Sequence, residues 1–219
     1  MQPDHWEILV LKPSPAFLTF LSTQFPQAIL PEFRLLQTDN TGYLFQRQQS
    51  DEELLDEIEI QYTKMFKHEI KRWLGDEQIV QDIKASFLDF LCCFKFEMHT
   101  NILLLEDSFL DGKQMLCVKP RSVMTKWLKE TVMEGVDADD ELMTHLDLGQ
   151  WVENGTVLIK NLPSVYDLKP FLKSHYDAIY ESEMVRLCDG LQEWPEIDSY
   201  QMFCRYFVVE YHTQLVQLT

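Results

Sequence analysis

The chain has 219 residues, with 19 Lys and Arg against 36 Asp and Glu, a net charge of −17 and a pI near 4.6. With 46% hydrophobic and 12% aromatic residues it has enough apolar material for a core, which excludes an intrinsically disordered chain. The negative excess excludes nucleic-acid binding, which relies on cations that neutralise phosphates, and disfavours anionic membrane surfaces. These numbers favour protein partners that present basic or amphipathic helical segments.

In chain order, the β-rich and mostly apolar run 6–12, WEILVLK, predicts a buried strand. Ser14 followed by Pro15 predicts a helix start, with Ser as N-cap and Pro where a missing N–H costs nothing. That helix should stop before Pro26. FRLLQ (33–37) and YLFQR (43–47) flank Asn40 and Gly42 and read as a β-hairpin. Ser50 and Glu53 form a capping box for a long helix that ends at Gly75. Its expected inner face is Leu55, Ile58, Tyr62, Met65, Phe66 and Trp73. A second helix is expected from about Asp76 to Phe94, with Ile79, Ile83, Phe87, Leu91 and Phe94 inward. Strands at 96–105 and 114–119 should pair across Asp107–Gly112.

The remainder leans helical. Ser122 should cap a helix that ends at Gly135, and 137–148 reads as a short acidic helix. Asn154-Gly155 between WVE and TVLIK signals a hairpin. A helix should begin near Pro170 and end at Gly190. A last one should begin near Ser199 and carry the nearly all-apolar run YQMFCRYFVVEY, 200–211. The expected fold class is α+β. Residues 1–120 form an α+β region of sheet, hairpins and helices. Residues 121–219 form a mainly helical region with one hairpin, packed on the first as one compact unit.

No run approaches the roughly 20 apolar residues of a membrane span. The N-terminus does not read as a signal peptide, because Asp4 and Glu7 flank its apolar run and no basic region precedes it. Five cysteines, an odd number without a C-x-x-C, suit reduced thiols and a cytoplasmic location. Asn154-Gly155-Thr156 matches a glycosylation sequon but reads as a turn. No repeat with a period of roughly 20–50 residues is visible.

Catalytic and metal signatures are not found. The six histidines are scattered, and His68-Glu69 lacks a second histidine for a zinc helix. Asp137-Ala138-Asp139-Asp140-Glu141 fails as a calcium loop, because Leu142 stands where Gly is needed and Leu148 where Glu is needed. No Gly-rich phosphate loop and no G-x-S-x-G elbow occur. The reading is therefore a protein without catalytic, cofactor or metal sites. What remains is acidity, in clusters at 51–59, 134–147 and 177–198. The candidate partner-binding residues are Glu52, Asp56, Glu59, Asp137, Asp139 and Asp140, with Tyr200, Phe203 and Phe207 from the apolar C-terminal run.

The acidic helix at 51–74 and the run IYESEMVRLCDGLQEWPEIDSYQMFCRYFVVEYH resemble the small acidic adaptor and chaperone subunits of the bacterial type IVB (Dot/Icm) secretion coupling complex. The resemblance implies a non-enzymatic subunit that docks on the tail of a coupling ATPase beside other small chaperones and helps recruit effector proteins. It implies a hetero-oligomer rather than a homo-oligomer. The alternative is an acidic inhibitor or immunity protein that covers a basic active site.

Overall fold

The structure, a computed structural model, describes residues 5–75, 85–103, 114–134, 155, 157–188 and 194–218. It is α+β, as the sequence predicts. In chain order the elements are β1 (Trp6–Pro13), α1 (Pro15–Gln24), α2 (Phe33–Thr38), β2 (Thr41–Gln46), α3 (Asp51–Leu74), α4 (Phe87–Cys93), β3 (Phe94–His99) and β4 (Ile102–Leu103). Then follow β5 (Gln114–Pro120), α5 (Ser122–Glu134), β6 (Val157–Lys160), α6 (Leu168–Cys188), α7 (Tyr200–Tyr206), β7 (Phe207–His212) and β8 (Gln214–Gln217). Two units divide the chain. One is Gln2–Met98 with His212–Thr219, and the other is His99–Tyr211.

In the first unit the sheet order is β3-β1-β2-β8. Trp6–Leu11 are all buried, Glu7 among them, as expected of a mostly apolar run with no polar alternation. Ser14 then caps α1: its Oγ accepts from the Ala16 amide at 3.2 Å, with Pro15 in the first turn. The hairpin expected at 33–47 does not form. Residues 33–38 are the short helix α2, and β2 pairs antiparallel with β1, from Trp6↔Gln46 to Leu11↔Thr41. Arg34, Leu35, Leu36 and Gln37 are straight-chain helix formers with no β-branched residue among them. Tyr43–Phe45 find in β1 a buried ladder that 33–37 cannot offer.

Helix α3 has the expected bounds, with Gly75 left-handed at φ 73° as its C-cap. The long helix expected to reach Phe94 is not seen. Residues 76–84, with Ile79 and Ile83, lie outside the described residues. Helix α4 starts afresh at Ser86, whose Oγ accepts from the Asp89 amide while the Asp89 carboxylate accepts from the Ser86 amide. Phe94 belongs to β3 rather than to the helix. The core gathers aromatic rings: Phe17 and Phe94 lie 4.8 Å apart, and Phe66 and Phe94 meet edge to face at 5.7 Å.

In the second unit the order is β4-β6-β5-β7. The 96–119 hairpin is also overturned. Strand β5 pairs antiparallel with β6, and β4 pairs parallel with β6. The WVE arm of the second expected hairpin and the acidic segment 137–148 lie outside the described residues. Gly155 is required by a close approach: a Cβ there would stand 1.7 Å from the Val118 carbonyl oxygen. The expected helix over 200–211 is half helix and half strand, because α7 ends at Tyr206 and Phe207–His212 are β7. The run Tyr206-Phe207-Val208-Val209 is rich in β-formers, and β5 supplies the neighbour. Phe203 and Phe207 stack at 5.3 Å among Met124, Leu128, Ile179 and Met184. No helix among the described residues is long and apolar enough to cross a membrane.

All five cysteines are free thiols. Cys92 is exposed, contrary to the apolar setting its sequence neighbours suggest, whereas Cys93, Cys117 and Cys188 are buried. Burial pushes the Cys93 thiol up to about 12 and the Cys188 thiol up to about 11. Since the thiolate is the reactive form, a timed alkylation should label Cys92 first. Cys93, Cys117 and Cys188 should resist until denaturant is added, after which five thiols should titrate. A buried Phe truncated to Ala costs about 3–5 kcal/mol. Phe207→Ala should therefore lower the melting temperature of the free protein by on the order of 10 °C, read by circular dichroism. An unchanged melt would place Phe207 outside the core.

Candidate functional site

Helix α3 carries the feature that the sequence singled out. Ser50 Oγ accepts from the Glu53 amide at 3.2 Å, and Glu53 reaches back to the Gln49 amide at 3.0 Å. Asp51, Glu52 and Glu53 stand at the positive end of the helix dipole, and Lys71 and Arg72 at the negative end. The inward face buries Ile58, Met65, Phe66 and Ile70. Glu52, Asp56 and Glu59 are exposed on the other side. Leu55, expected inside, is 46% exposed, and Ile60 is 70% exposed. Three carboxylates interspersed with two aliphatic side chains suit an amphipathic segment with basic residues at its polar edge.

A second constellation joins β2, α3 and β8 in the first unit. Asp39 accepts from Arg72 Nη2 at 2.7 Å, and from the amide and hydroxyl of Thr213 at 2.8 and 2.7 Å. Arg72 also donates to Thr41 Oγ1 at 2.8 Å. The Asn40 amide donates to His212 Nδ1 at 3.0 Å, and His68 Nε2 meets Gln214 Oε1 at 2.8 Å. One turn from Arg72, the buried Tyr43 hydroxyl donates to Glu69 Oε1 at 2.8 Å. Burial, the facing Glu69 charge and the hydrogen bond to it together hold the Tyr43 hydroxyl well above its ordinary value. Arginine, histidine, carboxylates and tyrosine in one place are the raw material of acid–base chemistry. Here these contacts fasten the last strand of the chain to the first unit.

In the second unit a surface cavity of about 500 Å³ lies between the β4 edge and α6, lined by Asn101, Leu103, Ala178, Glu181, Ser182, Val185 and Arg186. The Arg186 guanidinium is turned to Glu183, at 2.8 Å from Nη2 to Oε2 and 3.4 Å from Nε to Oε1. Glu183 is fully buried, so this ion pair neutralises a carboxylate that would otherwise be costly inside. Among the described residues no group of three or more His, Cys, Asp or Glu is placed to hold a metal ion.

The sequence-predicted residues separate. Glu52, Asp56 and Glu59 come together on one exposed face of α3. Asp137, Asp139 and Asp140 lie outside the described residues. Tyr200 is half-buried, 6.4 Å from Tyr176 between ring centroids. Phe203 and Phe207 are buried in the second unit's core. Sequence reasoning missed Ile60 and the Asp39–Arg72–Thr213 tie. Ile60 was available as the apolar residue off the inward stripe. The tie spans 174 residues from Asp39 to Thr213, beyond any local pattern. Comparison with protein-family models, with curated proteins and with solved structures finds no match.

Tyr43→Phe should cost about 1–3 kcal/mol at neutral pH, because Glu69 loses a buried donor. The raised Tyr43 value also carries a pH signature. Its stabilisation is full below the unfolded value of 10.0 and is lost as the pH rises beyond that, since the unfolded chain gives up the proton first. Denaturant titrations should show stability falling more steeply above pH 10 in the wild type than in the variant. Parallel curves would refute the link.

Proposed function

We propose that the protein is a non-enzymatic, protein-binding adaptor or secretion chaperone, whose docking face is the acidic outer side of α3. The observation that carries this reading is the exposure of Leu55 and Ile60 among Glu52, Asp56 and Glu59. Acids alone on a surface serve solubility. Exposed aliphatic side chains set among them add the apolar area that a bound helix would cover. The partner is a protein with a basic or amphipathic helical segment. The resemblance to acidic adaptor subunits of the type IVB secretion coupling complex extends the reading to effector recruitment, in the cytoplasm and within a hetero-oligomer.

The test begins with affinity purification from the native host and ends with binding kinetics on the partner recovered. Association should slow as salt rises, because exposed charges beyond about 8–10 Å are screened at physiological ionic strength. Glu52→Lys with Asp56→Lys should reduce the on-rate about tenfold or more while changing the off-rate less. Ile60→Ser should act in the opposite sense, on the off-rate. A partner whose on-rate ignores both salt and charge reversal would refute α3 as the docking face. Recovery of a basic toxin or nuclease would favour the inhibitor alternative.

A further inference from the structure

The two sheets follow one plan. Written from the third strand of each, the first is β3-β1-β2-β8 and the second is β7-β5-β6-β4. In both, the middle pair is antiparallel and the outer strand runs parallel to its neighbour. The elements between them correspond in order: α1 with α5, α3 with α6, α4 with α7. The registers agree, since Gly42↔Leu215 and Val157↔Ile102 occupy matching ladder positions.

The correspondence extends to individual side chains. The pattern F-x-x-x-F-x-x-E-x-H-T occurs at Phe90–Thr100 and again at Phe203–Thr213. Both copies open on a serine N-cap, Ser86 and Ser199, and α3 and the turn before α6 are capped by Ser50 and Ser164. The glutamate of each pattern pairs with the lysine of a Lys-Pro that ends the central strand. These pairs are Lys12–Glu97 and Lys119–Glu210. The Ser14 amide donates to the Cys93 carbonyl at 2.8 Å, and the Arg121 amide to the Tyr206 carbonyl at 2.7 Å. Tyr62 and Tyr176 each donate to the backbone ahead of the next helix, at Ala85 and Asp198, both at 3.3 Å. The histidine of each pattern is buried and meets backbone just before or at the second strand, at Gly155 for His99 and at Asn40 for His212.

We infer that the chain is a tandem fusion of two copies of one unit that have exchanged their last strands. The exchange is visible in the path. After His99 the chain does not return to β2 but supplies β4 to β6, and after His212 it supplies β8 to β2. The interaction surface is the open edge of the second strand in each copy. Its occupant is the Thr-x-aliphatic-aliphatic strand of the other copy, Thr100–Leu103 or Thr213–Val216. An edge strand left open invites pairing with another chain, and exchange of an identical element is an economical way to satisfy it. The partner this surface takes is thus a second copy of the unit, here supplied by the same chain.

A protease site inserted between β4 and β5 tests this in the full-length protein. After cleavage the two halves should remain one particle at the uncut mass on native mass spectrometry, because each half completes the other's sheet. Adding Ile102→Pro and Leu215→Pro, which break both exchanged strands, should let the cut halves separate. Hydrogen exchange on the uncut single variants gives a readout that does not need the double variant to fold. Leu215→Pro should expose the amides of Thr41–Leu44 and leave Val157–Leu158 protected, and Ile102→Pro should do the reverse. Halves that part in the cut wild type, halves that stay together with both strands broken, or amides that respond in the same half as the substitution would each overturn the inference.

Discussion

A strand buried on both faces cannot leave a backbone amide or carbonyl unpaired, since each orphan costs free energy comparable to a lost hydrogen bond. Trp6–Leu11 of β1 are such a strand, and Thr41–Phe45 of β2 are buried beside it. The first requirement brings β3 and β2 to the two edges of β1. The second asks for a further neighbour on the far side of β2, and that neighbour comes from the very end of the chain. Asp39, Arg72, Thr41 and His212 make sense against this demand. They surround the place where β8 arrives, and their hydrogen bonds fix its entry.

The same economy governs the charges. Glu69, Glu97 and Glu183 are buried, and a lone charge inside is expensive. Glu69 is met by Tyr43, Glu97 by Lys12 and Glu183 by Arg186. Lys12 and Arg186 neutralise the carboxylates they meet, whereas the Tyr43 hydroxyl gives Glu69 a hydrogen bond and leaves its charge in place. The acids of α3 concentrate in its N-terminal half, where the helix dipole favours them.

Elements with a local signature were legible in the sequence. Ser14-Pro15, the Ser50–Glu53 box and Gly75 each placed a helix end, because capping acts within one turn. Two of the failures share one cause. Phe87, Leu91 and Phe94 read as one helical face, and Phe203 with Phe207 as another, yet Phe94 and Phe207 each open a strand. Helix period and core-facing burial coincide there, and only the neighbouring central strand decides between them. The α2 segment failed in the opposite direction, read as a strand because Phe and two Leu looked like half of a hairpin. Of the candidate site, the carboxylates of α3 were legible as a charge run. Ile60 needed the inward face to be fixed first. The strand exchange was legible only as a recurrence more than a hundred residues apart, which searches for short periods pass over.

The second copy serves as an internal control for the first. Each half uses the same capped helix to cover its sheet, with Ile58 and Leu172, Met65 and Ile179, Glu69 and Glu183, and Ile70 and Met184 at matching buried positions. At the three acidic positions of the proposed docking face the match ends. Where α3 and its flank place Glu52, Asp56 and Glu59, the corresponding positions of the second half hold Tyr166, Pro170 and Lys173. The fold therefore makes no demand for acids at those positions, since one copy folds with an aromatic ring, a proline and a cation there. Conformational self-repulsion weighs against keeping so many carboxylates together. A feature that the scaffold does not require, and that electrostatics opposes, is better accounted for by what it meets in solution. That argument supports the acidic face as a binding surface. It also separates the surface from the architecture: the buried Phe, Glu and His positions that the two copies share hold the sheets together, and the outer positions of α3, where they differ, are the ones the proposed docking face uses.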